Sequence, residues 1–248
     1  MSTSNRSMLR YLLIGLSIVS LGLAAFAYNG INLFRSSDTV AYSPSAINVV
    51  DPAIDLPISS VKKSQTLVLA GGCFWGVEGV FEKLKGVSAV VSGFSGGNAA
   101  TAHYEVVATG LTGHAEVVEI TYDPEQVSYG QLLKVFFAIA HDPTQLDRQG
   151  PDSGPQYRSA IFFNNSDEQR VAQAYIEQLN QSKVFAAPIV TQLAPLDRFY
   201  PAEGYHQNFV QRNPRYPYVV VHDLPKLAQT PNSFQTFSSQ IPNLLNLI

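Results

Sequence analysis

The sequence predicts an α+β fold, a two-layer sandwich built on a mixed or antiparallel sheet. Three observations lead there. Segments of helical period are interspersed with period-2 segments that follow one another across short loops, as antiparallel neighbours do. The chain has no internal repeat and no GxGxxG phosphate loop of the kind that marks a doubly wound sheet. Hydrophobic residues make up 46% of the 248 residues and charged ones only 14%, which is ample material for a core.

The elements follow in order. "TLVLAG" (66–71) is a short apolar run before glycines, which reads as a buried strand. "CFWGVEGVFEKLKG" (73–86) places Phe74, Val77, Val80, Phe81 and Leu84 at helical spacing, with Gly86 as the stop. "VSAVVSGFSGG" (87–97) is a strand entering a glycine turn. "HYEVVATG" (103–110) and "HAEVVEITYDP" (114–124) alternate with period 2 and suggest an antiparallel pair. "SYGQLLKVFFAIAHDP" (128–143) is a helix capped by Ser128 and closed before Pro143. "QYRSAIFF" (156–163) is a strand. "SDEQRVAQAYIEQLNQS" (166–182) is an amphipathic helix with Ser166 as the expected N-cap. "PIVTQLAPL" (188–196) is a further strand and "AEGYHQNFVQRN" (202–213) a short helix.

The N-terminus stands apart. Arg6 and Arg10 precede the uncharged run "YLLIGLSIVSLGLAAFA" (11–27), which ends in an A-x-A pattern. Residues 1–27 therefore read as a signal peptide or an uncleaved membrane anchor, and the arginines orient the rest of the chain outward. The expected location is outside the cytoplasm, in a periplasm or lumen. Residues 28–65 read as a linker, 66–227 as the folded domain and 228–248 as a tail. The net charge of −3 and the scattered Lys and Arg argue against nucleic acid as a partner. A single cysteine rules out an intramolecular disulfide and Cys-rich zinc sites, and the five histidines show no HxxxH or HxH spacing, so no metal is expected.

That cysteine carries the chemistry. Cys73 follows a strand and two glycines and opens a helix, where free backbone N–H groups and the helix dipole favour an anion. The placement predicts a reactive thiol with a lowered pKa; the alternative is an inert buried cysteine. Phe74 and Trp75 are either core residues or the lining of an apolar pocket for a methyl or thioether group. Glu116, on the same strand face as His114, is a candidate buried acid with a raised pKa or a solvent-facing strand residue. Asp152 and Tyr157 lie in the polar loop "DRQGPDSGPQYRS", where they either bind a polar substrate group or shape a turn.

Taken together, "GCFWG", "GFSGG", "HYEVV", "TGHAEVVEITYDP", "QLLKVFF", "HDPTQLDRQGPDSGPQYRSAIFF", "FYPAEGYHQ" and "VVVHDLPKL" resemble, in collinear order, peptide methionine sulfoxide reductase of the A type. The resemblance covers residues 67–227. It implies an α+β sandwich with a ferredoxin-like core and reduction of methionine S-sulfoxide, free or in proteins, with no metal or bound cofactor. It implies Cys73 as nucleophile, Phe74 and Trp75 as the methyl pocket, Glu116 as the acid on the sulfoxide oxygen, Tyr104 and Tyr157 as hydrogen-bond donors to that oxygen, and Asp152 as support. Members commonly carry resolving cysteines near the C-terminus, and this chain has none. A sulfenic acid on Cys73 must then be reduced by an external thiol, whether thioredoxin, glutaredoxin or a small thiol. The chain is expected to work as a monomer. Two other readings are a cysteine hydrolase using Cys73, Asp152 and either His114 or His206, and a membrane-tethered binding module in which Cys73 is merely buried.

Overall fold

The computed structural model describes residues 48–57 and 64–230. The segment expected at residues 1–27 to be a signal peptide or anchor lies outside the described residues, as does all but the first part of the expected tail. No helix among the described residues is long and apolar enough to cross a membrane.

Strand β1 (Gln65–Gly71) runs into helix α1 (Phe74–Phe81) and the chain returns as β2 (Val87–Ser95). A one-turn helix, α2 (Tyr104–Val107), precedes β3 (Ala115–Tyr122), which inserts between β1 and β2 and pairs antiparallel with both. Helix α3 (Tyr129–Val135) continues as a π-helical turn over Phe136–Ala140. A small hairpin, β4 (Arg148–Gln149) and β5 (Asp152–Ser153), leads to β6 (Ser159–Phe163), which pairs antiparallel with the other side of β1. The order β6-β1-β3-β2 is the split β-α-β of a ferredoxin-like core. After helix α4 (Ser166–Ser182), β7 (Gln192–Pro195) joins β6 in parallel, and β8 (Tyr200–Pro201) joins the far edge beside β2. The chain closes with α5 (Phe209–Arg212), a π-helical turn over Val219–Asp223 and α6 (Leu224–Ala228). The predicted α+β sandwich with a mixed sheet is the fold observed.

The period-2 alternation decides which side chains meet the helices. Leu67 and Leu69 of β1, Val118 and Ile120 of β3 and Ile161 of β6 form one core with Phe74, Val77 and Phe81 of α1, Leu132 and Leu133 of α3, and Val171 and Tyr175 of α4. Each fully buried Phe or Leu in it contributes about 2 kcal/mol by leaving water. The alternate residues Val68, Ala70, Val117, Ala160 and Phe162 face the other way, under Leu196 and Phe199.

Three local expectations are corrected by tertiary context. The "HYEVV" stretch is a helical turn, not a strand, because β1 and β2 already occupy both edges of β3. The cap of α4 is Asn165, whose side chain accepts from the N–H groups of Asp167 and Glu168; Ser166 is the first helical residue. Within 202–213 only four residues are helical. Ser128 does cap α3, in a capping box with Gln131. Residues 48–57, inside the stretch read as linker, form a strap over α3 and α4. Asp55 accepts hydrogen bonds from the Ser128 hydroxyl and, at 2.8 Å, from the Gly130 N–H. Lys134 pairs with Asp51 at 2.6 Å, and the Tyr175 hydroxyl donates to the Val50 carbonyl at 2.7 Å.

Ser128 thus serves both the cap and the strap. Ser128→Ala is expected to lower the unfolding free energy by about 1 kcal/mol, read from urea denaturation. An unchanged midpoint would show that the Ser128 hydroxyl adds nothing to the cap or to the strap.

Candidate active site

The site is assembled where β1 ends and α1 begins. Gly72 has φ +91, and a Cβ there would lie 2.4 Å from the Gln149 side chain, so the turn between strand and helix needs glycine and carries the β4 loop directly on it. Cys73 then takes the N-cap position of α1 and is 9% exposed. The β2–β3 register sets Phe94 opposite Glu116. Because β1 pairs Leu69 with Val118, Glu116 stands two residues further toward the Cys73 end of that strand pair. Glu116 Oε2 accepts a hydrogen bond from the Phe74 N–H at 3.1 Å, one of the free donors of the helix start.

The helix start therefore serves the acid as well as the thiol, and this changes the electrostatics expected from sequence. Burial pushes the Cys73 thiol well above its ordinary value, and the nearby charges of Glu116, Asp223 and Asp152 push the same way. The Trp75 N–H opposes them but does not prevail. The expected lowered pKa is thus overturned, because desolvation of a buried sulfur outweighs one turn of helix dipole. Glu116 is 2% exposed, and burial raises its carboxyl to about 8 against the Phe74 N–H, which favours the charged form. At neutral pH both groups hold their protons.

An aromatic wall closes one side. The Phe74 ring lies 5.8 Å from Phe94 and 5.0 Å from His206. Trp75 stacks on Phe209 at 3.7 Å and 7°, with Tyr216 and Tyr218 edge-on at 6.1 and 6.0 Å. Its Nε1–H donates to His206 Nδ1 at 3.1 Å. Since indole only donates, that bond assigns the histidine proton to Nε2. Burial holds His206 below its ordinary pKa, and its ring packs on Tyr104 at 4.2 Å.

The other side is polar. Asp152 accepts a short hydrogen bond from the Tyr218 hydroxyl, and burial raises its pKa. Burial also lifts Tyr104 to about 12 and raises Tyr157; the charges of Glu116, Cys73 and Asp152 act on both phenols. The structure thus brings together Cys73, Phe74, Trp75, Tyr104, Glu116, Asp152 and Tyr157, whereas His114 is turned to the Asn98 carbonyl. It adds Tyr218, Phe209 and Asp223, and it gives His206 a place in the aromatic wall. Asp223 is fully buried, and a Cβ on Gly76 would fall 2.3 Å from its Oδ1, so the second glycine of "GCFWG" makes room for a carboxylate. Nothing in spacing marked these residues, although the quoted blocks "FYPAEGYHQ" and "VVVHDLPKL" contain His206 and Asp223.

The hydrolase reading lacks its base. His114 Nε2 bonds the Asn98 carbonyl oxygen at 3.0 Å, His206 is engaged by Trp75, and the charges acting on Cys73 are carboxylates. Among the described residues no group of three or more His, Cys, Asp or Glu side chains could hold a metal.

The comparisons with known proteins agree with this geometry. A family model described as peptide methionine sulfoxide reductase matches residues 65–237. The chain is 57% identical to peptide methionine sulfoxide reductase MsrA 2 of Mesorhizobium japonicum over 73% of this chain and 93% of that protein. It is 56% identical to MsrA 2 of Synechocystis over 75% and 87%. Among solved structures, reduced Mxr1 of Saccharomyces cerevisiae superposes with TM-score 0.57 at 30% identity, covering 64% of this chain and 91% of that one. Methionine sulfoxide reductase A of Corynebacterium diphtheriae gives 0.54 at 33%, covering 70% and 87%. With the sheet order, the buried acid beside Cys73 and these likenesses in agreement, the chain belongs to the peptide methionine sulfoxide reductase A family.

Proposed function

We propose that this protein reduces the S epimer of methionine sulfoxide, free or within proteins, and that Cys73 and Glu116 carry the reaction. The observation behind this is the buried Glu116 carboxyl, bonded to the first N–H of the helix that Cys73 caps. A sulfoxide sulfur is a poor electrophile until its oxygen is protonated or strongly hydrogen-bonded. Glu116 is neutral below about pH 8 and supplies that donor. Its neutral form also removes the largest of the charges that oppose a Cys73 thiolate. The phenols of Tyr104 and Tyr157 remain protonated throughout this range and add donors to the oxygen. Phe74 and Trp75 receive the methyl group, and Asp152, held by Tyr218, supports the polar side.

In the balanced step, sulfur of Cys73 attacks the sulfoxide sulfur, the S–O oxygen passes to Cys73, and the thiol proton ends on that oxygen. Methionine leaves and Cys73 becomes a sulfenic acid. Cys73 is the only cysteine of the chain, so no internal thiol can resolve it. An external thiol attacks the sulfenic sulfur, water leaves and a mixed disulfide forms. A second thiol then releases Cys73 as thiol and the reductant as disulfide. A thioredoxin, a glutaredoxin or a small thiol has the required chemistry. We further propose that the domain works outside the cytoplasm, since Arg6 and Arg10 precede the apolar run at 11–27. N-terminal sequencing of the mature protein tests whether that run is cleaved.

Cys73→Ser is expected to abolish reduction of the S-sulfoxide with excess dithiothreitol, and retained turnover would remove Cys73 from the reaction. Glu116→Gln keeps a donor and is expected to lose far less activity than Glu116→Ala, whose loss should lie in the range of about 10²–10⁴ for a missing general acid. Equal losses would argue against donation from this position. Wild-type kcat is expected to fall as pH rises through about 8, where Glu116 deprotonates, and this fall should vanish in Glu116→Gln. Without reductant, the protein should form one methionine per molecule and stop, with the sulfenic acid trapped by dimedone; a larger yield would reveal an internal electron source.

A further inference from the structure

Tyr104 opens a helix of only four residues, α2. A single helical turn does not sustain itself, because its first hydrogen bond fixes several backbone angles at once. Its free N–H and C=O groups also need partners. Val107, the last residue of the turn, is fully buried in the core. The two ends are fastened by side chains from far along the chain. At the start, Glu203 Oε1 accepts from the Tyr104 N–H at 3.0 Å, where the turn favours an anion. At the end, Gln156 Nε2 donates at 3.2 Å to the carbonyl of Ala108, the C-cap.

Each of these clamps is joined to a neighbour of Tyr104 in the site. Gln156 directly precedes Tyr157, the second phenol. It is buried, and its Oε1 is lodged against two glycines: a Cβ would fall 3.0 Å from it at Gly110 and 2.2 Å at Gly154. Arg158, on the other side of Tyr157, donates to the Gly113 carbonyl at 2.9 Å and to the His114 carbonyl at 3.2 Å. The turn that bears Gln156 is therefore itself fixed to the entry of β3. The Glu203 carbonyl accepts from the His206 N–H at 2.9 Å, and the His206 ring packs on Tyr104 at 4.2 Å.

We propose that Glu203 and Gln156 are positioning residues for Tyr104: they hold both ends of the turn that carries it, and so fix the place of its phenol relative to Tyr157 and His206. The inference rests on the reading of Tyr104 as a donor to the sulfoxide oxygen. Such a donor loses much of its worth when displaced, by a factor of about 10² for about 1 Å. Glu203 acts here as an acceptor for one N–H, a task that an amide oxygen also performs.

In the full-length protein, Glu203→Ala and Gln156→Met are each expected to lower kcat for methionine S-sulfoxide about tenfold, with KM within about threefold. The Met side chain keeps the length of Gln and lacks its amide. Glu203→Gln keeps the acceptor and is expected to recover most of the loss. In a Tyr104→Phe background the same two changes should cost less than about threefold, since the hydroxyl they place is gone. Provided Tyr104→Phe itself lowers kcat, an equal loss in both backgrounds overturns the proposal, as does wild-type kcat in folded Glu203→Ala and Gln156→Met. Tyr104→Phe with wild-type kcat, or wild type without turnover, would instead strike the donor or the reductase reading. A measurement without substrate then decides. The His206 ring signal, followed by NMR with isotope-labelled histidine, senses the ring of Tyr104. Gln156→Met is expected to move it toward its position in Tyr104→Leu, and an unmoved signal overturns the proposal. Should Gln156→Met fail to fold, Glu203→Ala must move the signal and Glu203→Gln leave it in place.

Discussion

The hydrogen bond from the Phe74 N–H to Glu116 Oε2 joins the two halves of the molecule that matter for chemistry. One end belongs to the helix that Cys73 caps, the other to the central strand of the sheet. Both are rigid elements, and the register of β3 against β1 and β2 sets the height of Glu116 beside that helix start. A shift of one residue in that register would turn Glu116 to the opposite face and leave the thiol without its acid. One of the free N–H groups that every helix start must satisfy is here bonded to a buried carboxyl.

The site is also an unfavourable place that the fold sustains. Cys73, Glu116, Asp152 and Asp223 are crowded together away from water, and burial raises the pKa of each. For Glu116 and Asp223 the shift means that folding is favoured by protonation, so their contribution to stability falls as pH rises between the ordinary carboxyl range and about 7 to 8. The core beneath them, with Phe74, Phe81, Phe94 and Phe136 fully buried, offsets this. Substrate chemistry benefits, since a neutral carboxylic acid in an apolar site is a donor at physiological pH.

The aromatic wall shows a second use of the same helix. Trp75 is held from three directions, by stacking on Phe209, by its bond to His206 and by the edges of Tyr216 and Tyr218. Those partners all come from the chain after β8, which returns across α1. The C-terminal stretch thus completes a pocket begun by "GCFWG", and Asp223 packs against Gly76 from the same stretch.

The amino-acid pattern alone determined the fold class, β1 as a short apolar strand, the alternation of β3 and the Ser128 cap, and it marked Cys73 and Glu116 as candidates. These rest on local periodicity, on cap chemistry and on an acid within an apolar strand run. Tertiary structure alone decided three things. It made "HYEVV" a helical turn, since no sheet edge beside β3 was free. It brought His206, Phe209, Tyr218 and Asp223 to α1 from positions that spacing could not relate to one another. It also reversed the sign of the thiol shift: a helix start is legible in sequence and favours an anion, but the desolvation that overrules it depends on how much of the chain folds over the sulfur.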